Sequence, residues 1–103
     1  MADKILVTGY IRFDPAKLEA FTAAAASVME ASQAEDGVER YTYSADLVEP
    51  GLIHVYEQYA HQGAMDAHMA SPHLAEFMGA AGSLGITAAS LTKWDGASPS
   101  KLM

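Results

Sequence analysis

Turn signals cut this chain into short segments, and that punctuation constrains its fold more than any other feature. Asp14-Pro15 reads as a helix N-cap followed by proline at the first helical position. Asp36-Gly37 reads as a helix end, with glycine where a left-handed cap is wanted. Glu49-Pro50-Gly51 is a turn, and Ser71-Pro72 is a second cap-proline pair. Between these marks, residues 5–13 are β-branched and aromatic and predict a strand. Residues 16–35 predict an amphipathic helix, with Leu18, Phe21, Ala25, Val28, Met29 and Ser32 recurring at helical spacing. Strands are expected at 38–47 and 52–59, a short helix at 61–70, and a restarted helix after Ser71 carrying Leu74, Phe77 and Met78. Gly79, Gly82 and Gly85 loosen and end that helix, and 86–94 predicts a fourth strand. One domain over residues 1–95 with a C-terminal tail over 96–103 follows. The order β-α-β-β-α-β describes an α+β, ferredoxin-like fold: a four-stranded antiparallel sheet with its helices on one face.

Alternation divides each strand between two faces. Ile5, Val7, Gly9, Ile11 and Phe13 share one side of the first strand; Leu6, Thr8, Tyr10 and Arg12 share the other. In the third strand Ile53, Val55, Glu57 and Tyr59 oppose Leu52, His54, Tyr56 and Gln58. Neither face is polar at every second position, as a solvated sheet face should be. Helices cover one face, so the other calls for a second copy of the chain laid sheet to sheet. With 103 residues a single core is only marginally stable, and pairing is a common remedy.

Composition excludes several functions. Six Lys plus Arg against thirteen Asp plus Glu give a net charge of -7, which repels nucleic-acid phosphates and anionic membrane surfaces. No cysteine is present, so disulfides, thiolate catalysis and Cys-based metal sites are excluded. The start of the chain lacks a secretory apolar core, and no stretch approaches the ~20 apolar residues of a spanning helix, so a cytoplasmic location is expected.

The segment Gly51-Leu52-Ile53-His54-Val55-Tyr56-Glu57-Gln58-Tyr59, then Ala64, then His68-Met69-Ala70-Ser71-Pro72-His73-Leu74-Ala75-Glu76-Phe77, resembles the antibiotic biosynthesis monooxygenase (ABM) domain family. A strand ending aromatic-Glu-x-aromatic, an Ala-x-x-x-His helix and Ser-x-His before a second helix with Phe carry the likeness. The opening strand and the Asp-Gly-Val turn add to it, and the resemblance spans about residues 3–94. It implies a homodimer in which two ferredoxin-like sheets face each other as a dimeric α/β barrel, with the ligand pocket of each subunit between sheet and helices. Some members oxidise quinols or polycyclic phenols with molecular oxygen and no metal or flavin. Others degrade haem, using an Asn on the first strand, a Trp on the second helical region and a downstream His, and the aromatic-polyketide oxygenases also use an Asn and a Trp near the pocket. This sequence has no Asn, and its one Trp is Trp94, so haem degradation does not fit. The family therefore implies an oxidoreductase without a cofactor, a monooxygenase acting on a small hydrophobic or phenolic molecule.

His68 is the candidate catalytic base. A phenol must lose its proton before it passes an electron to oxygen, and a neutral imidazole can take that proton. It could equally pack between helix and sheet on one hydrogen bond. His54, Tyr56 and His73 are candidate substrate-binding residues, with the dimer interface or plain packing as their alternative. No metal is expected: His61 and His68 stand seven apart, two helical turns or roughly 10 Å, too far to chelate one ion. The rival readings are a non-catalytic module binding a small hydrophobic ligand in the same fold, and a structural dimer with no pocket.

Overall fold

The computed structural model describes residues 4–103; the expected domain start at residues 1–3 lies outside them. β1 (Lys4–Phe13) runs into a single 3-10 turn at Pro15–Lys17 and then α1 (Leu18–Gln33). β2 (Val38–Ala45) and β3 (Leu52–Tyr59) follow as a hairpin, then α2 (Gln62–Met69), α3 (Pro72–Gly79) and β4 (Ile86–Ala97). All pairings are antiparallel and the sheet order is β2-β3-β1-β4. This is the α+β ferredoxin-like architecture, with the second helical unit broken in two.

The caps explain the boundaries. Asp14 accepts a hydrogen bond from the Ala16 amide at 3.0 Å. Proline lacks an amide hydrogen to give, so its place in the first turn costs no bond. His61, expected as the first residue of α2, instead caps it: its Nδ1 accepts from the Ala64 amide at 3.1 Å. Ser71 breaks the second helical unit while holding its halves together. Its hydroxyl donates to the His68 carbonyl at 2.6 Å and accepts from the Leu74 amide at 3.4 Å. Gly37 has φ of 80°, and a Cβ there would come within 2.6 Å of the Ala64 Cβ, so glycine lets α2 close down on the start of β2.

The faces divide as alternation predicts. Ile5, Val7, Ile11, Phe13, Ile53, Val55 and Tyr59 are buried beneath the helices. Phe21 of α1 stacks flat on Phe13, with ring centroids 4.1 Å apart, and meets Phe77 of α3 edge-on at 6.2 Å. Tyr10 and Trp94 are partly exposed on the outer side, where the Trp94 ring N–H donates to Thr8 at 2.8 Å.

One boundary moves. Strand β4 runs on to Ala97 rather than ending at Trp94, taking in the first two residues of the expected tail. A register shift between Lys4 and Leu6 absorbs an extra residue, and Lys4 pairs with Ala97. Gly96, at φ of 67°, supplies the backbone turn that bulge needs. No helix among the described residues is long and apolar enough to cross a membrane.

Candidate functional site

Strand register lays the site out in rows across the helix-facing side of the sheet. One row reads Tyr41, Glu57, Val7, Lys93, and the next Tyr43, Val55, Gly9, Leu91. α2 and α3 roof these rows and leave a cavity of about 410 Å³ between sheet and helices. Its walls are mostly apolar, with Ile11, Met65, Leu74, Phe77 and Ile86 among them. Tyr41, Tyr43, Glu57, His68 and Lys93 contribute the polar groups. On the β4 side of the cavity Leu91 is half-exposed, as are Met69 and Met78 on the helices.

His68, 1 % exposed, lies in the last turn of α2 and looks down on this floor. Its ring lies 4.8 Å from the Tyr41 ring and 5.8 Å from the Tyr59 ring. Its Nδ1 meets Glu35 Oε2 at 2.8 Å. Glu35 stands just past α1, where its amide donates to the Ser32 carbonyl. A carboxylate on Nδ1 fixes that nitrogen as the N–H and leaves the lone pair on Nε2. Glu35 Oε1 lies 3.2 Å from His73 Nε2, off the line of a good hydrogen bond, and that buried nitrogen has no other partner among the described residues. Glu35 thus bridges two imidazoles, and its 33-residue separation from His68 hid it from the sequence reading.

Burial dominates the tyrosines and Glu57. It pushes the Tyr41 and Tyr59 hydroxyls well above the usual phenol range and Tyr43 up to about 12. All three stay protonated as donors. Tyr41 and Tyr43 share a hydrogen bond at 2.8 Å, and the Tyr59 hydroxyl donates to Glu57 Oε1. Glu57, only 5 % exposed, is also raised by burial, against the opposing pull of Tyr59 and His68. Its signal in the sequence was a lone acid in phase with Ile53, Val55 and Tyr59.

The structure brings His68 and His73 together, yet His73, expected to bind substrate, is not among the residues lining the cavity and faces Glu35 instead; His54 and Tyr56 are set apart altogether. Both of the latter point to the outer sheet face, away from the cavity, because they alternate out of phase with Glu57. His54 is exposed and bonds Asp46 at 2.9 Å; Tyr56 donates to Gln58 at 2.8 Å. Asp46 is held down at about 2 by His54 and by the Val48 and Glu49 amides. A depressed carboxylate stabilises the fold above its ordinary value of 3.8 and loses that contribution as pH falls through about 2. Asp46→Asn should therefore lower the urea midpoint at neutral pH and flatten its decline across that acid window. An unchanged acid limb would contradict the assignment.

Glu35, His68 and His73 offer three donor atoms all within 4.8 Å of one another, a set that a divalent cation could take. These three residues come from three separate segments, so no sequence spacing such as that of His61 and His68 points to the cluster.

Comparisons with known proteins place the fold and the family. The family model described as "Antibiotic biosynthesis monooxygenase" matches residues 4–80. An uncharacterized protein of Synechocystis, sll1783, is 32 % identical over 76 residues, covering 74 % of this chain and 52 % of its own length. The chain thus spans about half of that relative. A "putative antibiotic biosynthesis monooxygenase" of Deinococcus radiodurans superposes with a TM-score of 0.87 at 23 % identity, covering 96 % of this chain and 98 % of its own. A protein of Nitrosomonas europaea bearing the same description gives 0.85 at 20 % identity, with 98 % and 97 % covered. At those identities the structures speak for the fold alone, while the family model spans most of the sequence that builds β1 through α3. The chain belongs to the antibiotic biosynthesis monooxygenase family.

Proposed function

We propose that this protein is a cofactor-independent monooxygenase acting on a quinol or similar phenolic compound. The observation that carries the reading is His68, buried and oriented by Glu35, at the wall of an apolar cavity large enough for a small aromatic molecule. His68 Nε2 takes the phenolic proton, and Glu35 gives the resulting positive ring a counter-charge. The phenolate passes one electron to dioxygen, and recombination of the two radicals forms a carbon–oxygen bond. The peroxide so formed takes back the proton held by His68, and loss of water, made from the outer oxygen, that proton and the hydrogen on the same carbon, leaves the ring oxidised with one oxygen atom gained. The apolar walls hold the flat substrate by contact and keep bulk water from the intermediates. His73 acts through Glu35, as a positioning residue.

Oxygen uptake on a panel of quinols, with protein dialysed against a chelator, tests this. Turnover above the enzyme-free control is expected and should survive the chelator. Turnover no faster than autoxidation contradicts it, and turnover abolished by the chelator and restored by a metal would transfer the chemistry to the Glu35-His68-His73 cluster.

The same proposal includes a cytoplasmic homodimer built on the outer sheet face. Leu6, Tyr10, Tyr56 and Trp94 there form a semi-apolar surface that the helices leave uncovered. Light scattering at micromolar concentration should give the mass of two chains; a clean monomer would exclude this pairing.

A further inference from the structure

The phenol-oxidising reading uses a base and needs no acid, yet the cavity holds a buried carboxyl that the reading leaves idle. Glu57 is the register partner of Tyr41 and of Val7, at the centre of the cavity floor. His68 lies over the same patch, its ring against those of Tyr41 and Tyr59. Each group has one atom committed to a fixed partner and one left over. Tyr59 holds Glu57 Oε1, leaving Oε2; Glu35 holds His68 Nδ1, leaving Nε2. Both groups line the same apolar space. A carboxyl in such surroundings favours its neutral form, as the raised Glu57 reflects. A carboxyl and an imidazole on one small cavity, each with a free atom facing it, are the equipment for moving a proton from carbon to oxygen.

We infer that this cavity also enolises small apolar carbonyl compounds, with His68 as base and Glu57 as acid, and without oxygen. His68 Nε2 removes a proton from the carbon beside the carbonyl. The pair of the broken C–H bond becomes the C=C bond, and the carbonyl oxygen takes the proton of Glu57. The products are the enol, an imidazolium and a carboxylate, with no net charge created and nothing oxidised or reduced. Return of a proton to carbon, and of the hydroxyl proton to Glu57, restores both groups. The substrate class is an aryl or cyclic ketone with an acidic C–H beside the carbonyl, small enough for about 410 Å³. The inference shares its base with the monooxygenase reading but needs neither dioxygen nor a phenol.

The test uses 2-tetralone in deuterated buffer under argon, with proton NMR following loss of the hydrogens beside the carbonyl. Wild-type protein should exchange them at least about tenfold faster than buffer, and Glu57→Gln and His68→Gln should each lose most of that gain. Exchange no faster than buffer, or undiminished in Glu57→Gln, overturns the inference. Since Glu57→Gln could unfold, a second measurement needs only the wild-type chain. The enol mimic 2-naphthol should bind at least about tenfold tighter than 2-tetralone by calorimetry, since a site that stabilises the enol binds its likeness better than the ketone. Equal affinities overturn it. Quinol oxidation without exchange would remove this inference and leave the monooxygenase reading standing; exchange without oxygen uptake would do the reverse.

Discussion

Replacing His68 with glutamine is expected to cut protein-dependent quinol oxidation by about 10²–10⁴-fold, the range that a positioned base contributes. Glutamine can still donate a hydrogen bond to Glu35, so the partly buried carboxylate that meets His68 at 2.8 Å need not lose its partner. What the variant lacks is a nitrogen lone pair able to accept a proton. His68→Ala should be as slow but partly rescued by external imidazole, because truncation leaves a space beside Glu35 that opens onto the cavity. The glutamine variant should not be rescued, since its side chain fills that space. Oxygen uptake across the three proteins, with enzyme-free controls, checks the set. A His68→Gln protein that keeps wild-type turnover would make the histidine a packing residue.

Phe21→Ala is expected to destabilise the fold by about 3–5 kcal/mol, the usual cost of truncating a fully buried phenylalanine. Phe21 is 2 % exposed and joins three elements, stacking on Phe13 of β1 and meeting Phe77 of α3 edge-on. Its loss leaves a void that neither a sheet nor a helix end can close by a rotamer change. A domain of this size has a total stability of about 5–15 kcal/mol, so the variant should be partly unfolded in mild urea. Phe77 and Leu74 of α3 also wall the cavity, so ligand affinity should weaken with stability. Urea unfolding followed by circular dichroism measures the first effect. A shift below about 1 kcal/mol would mean that the three rings do not act as one packing unit.

Local signals carried most of the fold. Asp14-Pro15, Ser71-Pro72 and Gly37 act within a few residues of themselves, so caps and helix ends were legible from sequence alone. Strand phase was equally legible, because Ile5, Val7 and Ile11 alternate with Leu6, Thr8 and Tyr10 whatever the strand pairs with. The restart of the helix at Ser71 was legible for the same reason, whereas the extension of β4 depends on a distant partner: Ala97 must find Lys4 across a bulge. The site divides in the same way. His68 could be singled out on its helix, but its partner Glu35 comes from beyond another helix and reveals itself only on folding. His54 and Tyr56 drew notice as a His and a Tyr on the right strand, although their phase already put them opposite Glu57. A carboxyl in step with three buried apolar residues was the informative departure on that strand.

If His68 takes a proton from a phenol bound in this cavity, the visible spectrum of bound 4-nitrophenol shows it. The phenolate of this dye is yellow and the neutral phenol is not, so protonation state can be read on the bound molecule without turnover. Under argon, at a pH where the free dye is colourless, adding wild-type protein should produce a saturable yellow phenolate band. His68→Gln should bind the dye and leave it colourless. A colourless complex with the wild-type protein, or equal phenolate in both, would contradict the account.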